Sequence, residues 1–302
     1  MSLGIFHTMI GKDENPWKEF AIKVAKGETG PYVLSGEDHL IKKKNDKIKK
    51  EEEKFKLHLI PEPFAGNPDA PIYLLNQNPR PVPYSDIKDN DQMAIIKKRL
   101  KCHNLYNLVF YDDCLGGNGI GEPCGLKNLN DFKKFPFYHL DPYYKHLPNF
   151  VWWYRNLSEI IQNVRNDLSK DKKIAESDVL QIVSNSIFDV ELVPYHSQHF
   201  IDVSGLESQE YAIELVERAI KDEKIIIVMK GYDKYWKEKV TDPKSEKVYR
   251  LKSRNSKISQ GNIENTKGDK TEEQISDKNS EGKKIMEEIT DKISSYWHDM
   301  VS

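Results

Sequence analysis

The chain has 302 residues, 38% of them hydrophobic and 31% charged, enough to bury a substantial core in one large domain or two small ones. Its formal net charge of -2 gives no global basic signature, so any nucleic-acid contact has to come from a local patch. No apolar run approaches the ~18 residues that span a bilayer, no signal-peptide pattern is visible, and three cysteines do not make a secreted disulfide framework, so a cytoplasmic protein without a membrane partner is expected.

Trp17, Phe20, Ala21 and Val24 fall at helical spacing and predict a short amphipathic helix. Residues 42–56, mostly Lys and Glu, read as a solvated helix face, with a nucleic-acid arm as the rival. Ile72-Tyr73-Leu74-Leu75 predicts the first strand, which stops before Pro79 because proline cannot donate to a ladder. Residues 91–100 look helical, and residues 106–129 are glycine-rich and loop-like. Residues 150–168 carry Trp153, Leu157, Ile160, Ile161 and Val164 on one stripe and predict a single helix, followed by a helical piece at 178–183.

Phe188-Asp189-Val190-Glu191-Leu192-Val193 alternates up to Pro194 and predicts strand two. An amphipathic helix over 207–222 leads into the apolar run 224–229, the best buried parallel strand. A helix over 233–240 and a fourth strand over 247–251 follow. Residues 262–284 have little to bury and predict a polar mobile loop, and 285–301 close the chain as a helix through Ile285, Ile289, Ile293 and Trp297. Strands alternating with helices predict one α/β domain over 1–302, with a parallel sheet and right-handed crossovers.

The most informative stretch is the end of strand one, Asn76-Gln77-Asn78-Pro79-Arg80. A buried parallel strand opening into a polar loop at its carboxyl end is where open α/β sheets place ligand sites. Asparagine offers donors and an acceptor together, so it can orient a water or bond a base edge. The plainer reading is that both amides cap the turn before Pro79. Pro63-Phe64, Gly66-Asn67-Pro68-Asp69-Ala70 and Leu75-Asn76-Gln77-Asn78-Pro79 resemble a group of uncharacterised bacterial proteins, which in turn look like the uracil-DNA glycosylase superfamily. In the mismatch-specific branch the first motif reads Gly-Ile-Asn-Pro-Gly, and its Asn positions the attacking water. Asn78 matches that Asn, while Asn76 and Arg80 stand where the two Gly residues would be.

Tyr195-His196-Ser197 follows strand two, and a His beside a Ser suggests acid–base or nucleophilic work. Adjacent residues on an extended chain point opposite ways, so a His bonding a backbone carbonyl is the alternative. A comparable Pro-Tyr-His-Ser run in those similar proteins brings His196 into the candidate set. In uracil-DNA glycosylases the second motif follows the last strand and reads His-Pro-Ser, or Asn-Pro-Ser in the mismatch branch. Asn255-Ser256 and Ser259 resemble a degenerate form without the Pro, beside the basic Arg254. Phe137, Tyr138, Trp152 and Trp153 gather aromatic faces that either stack a base or fill the core. Cys102, His103, Cys114 and Cys124 match no standard zinc spacing, and three cysteines cannot ligate a four-cysteine iron–sulfur cluster, so neither metal nor cofactor is expected.

The resemblance implies a three-layer α/β sandwich with a central, mostly parallel sheet of about four strands. It further implies recognition of a DNA base, with N-glycosidic hydrolysis of a flipped base as the reaction. Asn78 would hold the water, with His196 as the second catalytic candidate. Arg80 would contact phosphate, Asn255 and Ser256 the backbone or the widowed base, and Asn76, Tyr138 and Arg254 would complete the nucleic-acid contacts. A non-catalytic nucleotide- or nucleic-acid-binding module is the rival, and a small-molecule hydrolase using His196 the third reading. The ends of strands one, two and four should line a common cleft.

Overall fold

The computed structural model describes residues 15–81, 91–110, 130–170, 173–240, 247–253, 257–266 and 278–301. Six strands form one sheet: β1 (Phe64–Gly66), β2 (Ile72–Asn76), β3 (Ile187–Glu191), β4 (Ile225–Val228), β5 (Val248–Leu251) and β6 (Ile263–Asn265), in the order β1-β3-β2-β4-β5-β6. The four inner strands are mutually parallel, and β1 and β6 close the edges antiparallel. The sheet is therefore mixed and larger than the four strands expected. Each edge strand has three residues, too short for alternation to show in the sequence.

The two-residue period of the strands sorts the core onto two faces. Tyr73, Leu75, Phe188, Val190, Ile226 and Val228 enter one cluster, with α1 (Trp17–Ala25) and a later helix, Glu207–Lys221. Ile72, Leu74, Ile187, Ile225 and Ile227 enter the other. Helices therefore cover both faces, which is what fully buried, nearly continuous apolar strands require.

Between α1 and the first strands lies α2 (Asp38–Lys47), followed by a 3-10 turn at Glu51–Glu53, where one charged helix was expected. The next helix, α3 (Asp91–Leu108), runs past the expected end at residue 100. Its Asn107 accepts the Gly66 amide at 2.9 Å. Gly66 has φ +121°, and a Cβ there would meet the Ile187 carbonyl oxygen at 2.1 Å, so only glycine lets β1 come this close to β3.

The single helix expected over 150–168 is two, α4 (Pro148–Asn156) and α5 (Ser158–Leu168). The break has a long-range cause: the Asn156 carbonyl accepts the Ile258 amide at 3.0 Å, so it is drawn to the loop after β5. Helices α6 (Glu176–Asn185), α7 (Glu207–Lys221) and α8 (Lys278–Val301) complete the layers. The polar segment expected to be a mobile loop over 262–284 instead contributes β6 and the first turns of α8. Residues 267–277 of it lie outside the described residues.

Candidate functional site

A cavity of about 880 Å³ opens at the carboxyl ends of β2, β3 and β4. Asn76, Gln77, Asn78 and Arg80 line it from the end of β2, Asp189 and Glu191 from β3, and Lys230 from the end of β4. Trp152 and Trp153 of α4, His139, Glu62 and Phe200 close its sides. Parallel strands carry their carboxyl ends to one edge of the sheet, so three separate segments meet there.

The Asn76 carbonyl accepts the indole Nε1 of Trp236 at 3.1 Å and the Leu192 amide at 3.2 Å. Its side-chain Nδ2 donates to Asp189 Oδ1 at 2.7 Å. Asn78 donates from Nδ2 to Ser197 Oγ at 3.0 Å and to the Ser197 and Pro79 carbonyls, each at 3.1 Å. That arrangement fixes the ring of contacts between the β2 and β3 loops and leaves the Asn78 Oδ1 as the acceptor end. Gln77 packs over Gly231, where φ is +74° and a Cβ would stand 2.5 Å from Gln77 Nε2.

Three carboxyl groups sit together at the floor and are treated differently by their surroundings. Burial alone would raise the Glu62 carboxyl, but His196 close by and hydrogen bonds from Tyr138 and Asn104 outweigh it and hold Glu62 below the usual range. Tyr138 OH donates to Glu62 Oε1 at 2.7 Å and Asn104 Nδ2 at 2.9 Å. Burial pushes Asp189 up to about 8, against the hydrogen bond from Asn76. Burial, with Asp189 and Glu62 nearby, also pushes Glu191 well above the usual range. Glu62 is thus the ionised member, and the other two favour their protons at neutral pH. Burial holds the His139 imidazole down to about 4, so it is neutral. Its ring stacks on Trp153 with centroids 5.7 Å apart. Lys230 is lowered by burial and by Arg80, and its ammonium lies 5.9 Å from the Trp152 ring centroid.

The sequence candidates divide by position. Asn76, Asn78 and Arg80 line the cavity, Arg80 at an exposed rim. His196 is buried and does not line it: Nε2 faces the Ile60 carbonyl at 2.9 Å and Nδ1 the Arg80 carbonyl at 3.3 Å. The ring braces the β2 and β3 loops against the segment before β1, with Nε2 3.9 Å from Glu62 Oε1. Tyr138 is also buried away from the opening, its ring packed on those of His103, His139 and Tyr144. The aromatic faces on the cavity are those of Trp152, Trp153 and Phe200. Arg254, Asn255 and Ser256 lie outside the described residues. The end of β5 before them does not enter this cavity. Arg250, Lys252 and Ser253 line a neighbouring hollow of about 630 Å³, which shares Gln77 and Lys230 with it.

No protein-family model, curated protein or solved structure matches the chain. Among the described residues no group of His, Cys, Asp or Glu is arranged to hold a metal ion, and Cys114 and Cys124 lie outside them. Cys102 is disulfide-bonded. Among the described residues no helix is long and apolar enough to cross a membrane.

Sequence reasoning passed over Glu62, Asp189, Glu191 and Lys230. The signal for two of them was present: in Phe188-Asp189-Val190-Glu191 the acids occupy alternate positions of an otherwise apolar, fully buried strand. Acids in such places are seldom buried without a specific reason.

Proposed function

We propose that the cavity binds a base of DNA, with hydrolysis of its N-glycosidic bond as the reaction, on a uracil-DNA glycosylase-like scaffold. The observation that carries this reading is one opening that combines an aromatic face, side-chain amides and cations. Trp152 offers a surface for a base, Asn78, Gln77 and Gln198 offer donors and acceptors, and Arg80 and Lys230 stand near it for phosphate or developing charge. The four parallel inner strands, with the opening at the carboxyl ends of β2, β3 and β4, support the scaffold.

Hydrolysis needs a held water and stabilisation of the charge that develops on the leaving base. Asn78 has its Nδ2 tied to Ser197, which turns Oδ1 into a positioned acceptor for a water O–H. Lys230 lines the opening from the end of β4, where burial and Arg80 disfavour its charged form. The non-catalytic binding module is favoured by one observation, that both His196 nitrogens face backbone carbonyls and so offer no base to a water.

The deciding assay is release of uracil, hypoxanthine or a mismatched base from oligonucleotides by the wild-type protein and by Asn78→Ala. Release lost in the variant supports hydrolysis with Asn78 in the mechanism. Release unchanged in the variant removes Asn78 from it. Oligonucleotide binding without release of any base leaves the binding module as the function.

A further inference from the structure

Asp189 and Glu191 stand two residues apart on the same face of β3, and Glu191 lies opposite Asn76 in the parallel register. Asn76 spends its Nδ2 on Asp189. Glu191 lines the cavity at 8% exposure, and its Oε2 has no hydrogen-bond partner among the described residues. A buried carboxyl oxygen left unpaired costs free energy that a ligand can recover. No arranged set of metal-ligating groups takes it up among the described residues.

We propose that Glu191, backed by Asp189, is the group that reads the ligand, acting as an uncharged carboxyl toward an uncharged heterocycle. The proposal rests on the base-binding reading above and names the residue that would perform it. An uncharged carboxyl presents one O–H donor and one carbonyl acceptor side by side. That pair matches the adjacent acceptor and donor on the edge of a neutral nucleobase. An ionised carboxylate presents acceptors alone and repels any ring nitrogen or carbonyl that needs a donor.

The charges around Glu191 favour the uncharged form. Burial acts first, then Asp189 on the same strand and Glu62 ahead of β1, both of which oppose a further negative charge. Lys230, after β4, acts the other way, and Arg80, after β2, in turn disfavours a charged Lys230. His139 is neutral through its own burial, and His196 faces Glu62 rather than β3. Glu62, held below the usual range and accepting hydrogen bonds from Tyr138 and Asn104, is the carboxyl of the floor that favours its charge.

The test is equilibrium binding of adenosine and cytidine, neither of which titrates between pH 6 and 10, to the full chain and three variants. Wild-type affinity is expected to be flat near neutrality and to fall by about tenfold per pH unit once the carboxyl pair ionises. Glu191→Ala is expected to lose about tenfold or more at pH 6, and Glu191→Gln, whose amide carries a donor and an acceptor, to restore most of it. In Glu191→Gln the alkaline fall should shrink to whatever Asp189 and Lys230 contribute, and Lys230→Met removes the lysine's share. Infrared absorption of a protonated carboxyl at pH 7, present in the wild type and reduced in Glu191→Gln, reads the same proton without ligand. Binding independent of pH, binding that strengthens as pH rises, or Glu191→Gln as weak as Glu191→Ala overturns this inference alone. No binding of either nucleoside to the wild type at pH 6 overturns the base-binding reading with it.

Discussion

At the scale of single residues, the carboxyl groups of the floor tie the site to stability. Asp189 ionises near its ordinary 3.8 when unfolded and is held up to about 8 by burial in the fold. Between those values the folded chain keeps a proton that the unfolded chain has released. Stability contributed by this group is therefore full below about pH 4 and falls as pH rises toward about 8. Glu191 adds to the fall in the same direction. Asp189→Asn, which can still accept from Asn76, is expected to melt above the wild type at pH 8 and to flatten the decline between pH 5 and 8. Thermal melts at those two pH values check it, and parallel declines in the two proteins would contradict it. Asn76, Asn78 and Arg80 were legible as cavity residues because a proline-stopped strand marks where its polar loop must open. Glu62 was not, since its role depends on Tyr138 and Asn104, which are 76 and 42 positions away.

At the scale of elements, the strongest periodic segments were readable and the breaks were not. Trp17–Ala25 coincides with its apolar spacing, and Ile225–Val228 sits within the apolar run that predicted it. The break after Asn156 was invisible because its cause is an amide at Ile258, far along the chain. Tyr232–Trp236 winds as a π-helical turn after Gly231, and this turn delivers the Trp236 indole to the Asn76 carbonyl. Gly231→Ala must adopt a left-handed conformation, costing about 1–2 kcal/mol, and its Cβ would displace Gln77 from the mouth of the cavity. Chemical denaturation should show that loss, together with weakened nucleoside binding. A variant as stable as the wild type with full binding would mean the turn does not hold the site.

At the scale of the whole molecule, two apolar clusters on opposite faces of the sheet hold the strand ends in place. The last helix closes one of them, with Ile289 and Ile293 fully buried. Ile289→Ala is expected to cost about 2–5 kcal/mol of unfolding free energy, read from the denaturation midpoint, with nucleoside affinity at 25 °C unchanged because the side chain does not line the cavity. The α/β class followed from the alternation of strands and helices. The edge strands did not, being too short to carry a pattern. With a net charge of -2, the proposed nucleic-acid binding would rely on local cations such as Arg80 and Lys230 at the cavity. Arg80→Ala is therefore expected to weaken oligonucleotide binding and to lower its salt slope by about one. The most direct measurement is an experimental structure of the protein with cytidine monophosphate bound. The base should stack on Trp152 with its edge at Glu191 and its phosphate toward Arg80 and Lys230. A nucleotide bound elsewhere, with the cavity at the ends of β2, β3 and β4 left without a base, would contradict the assignment.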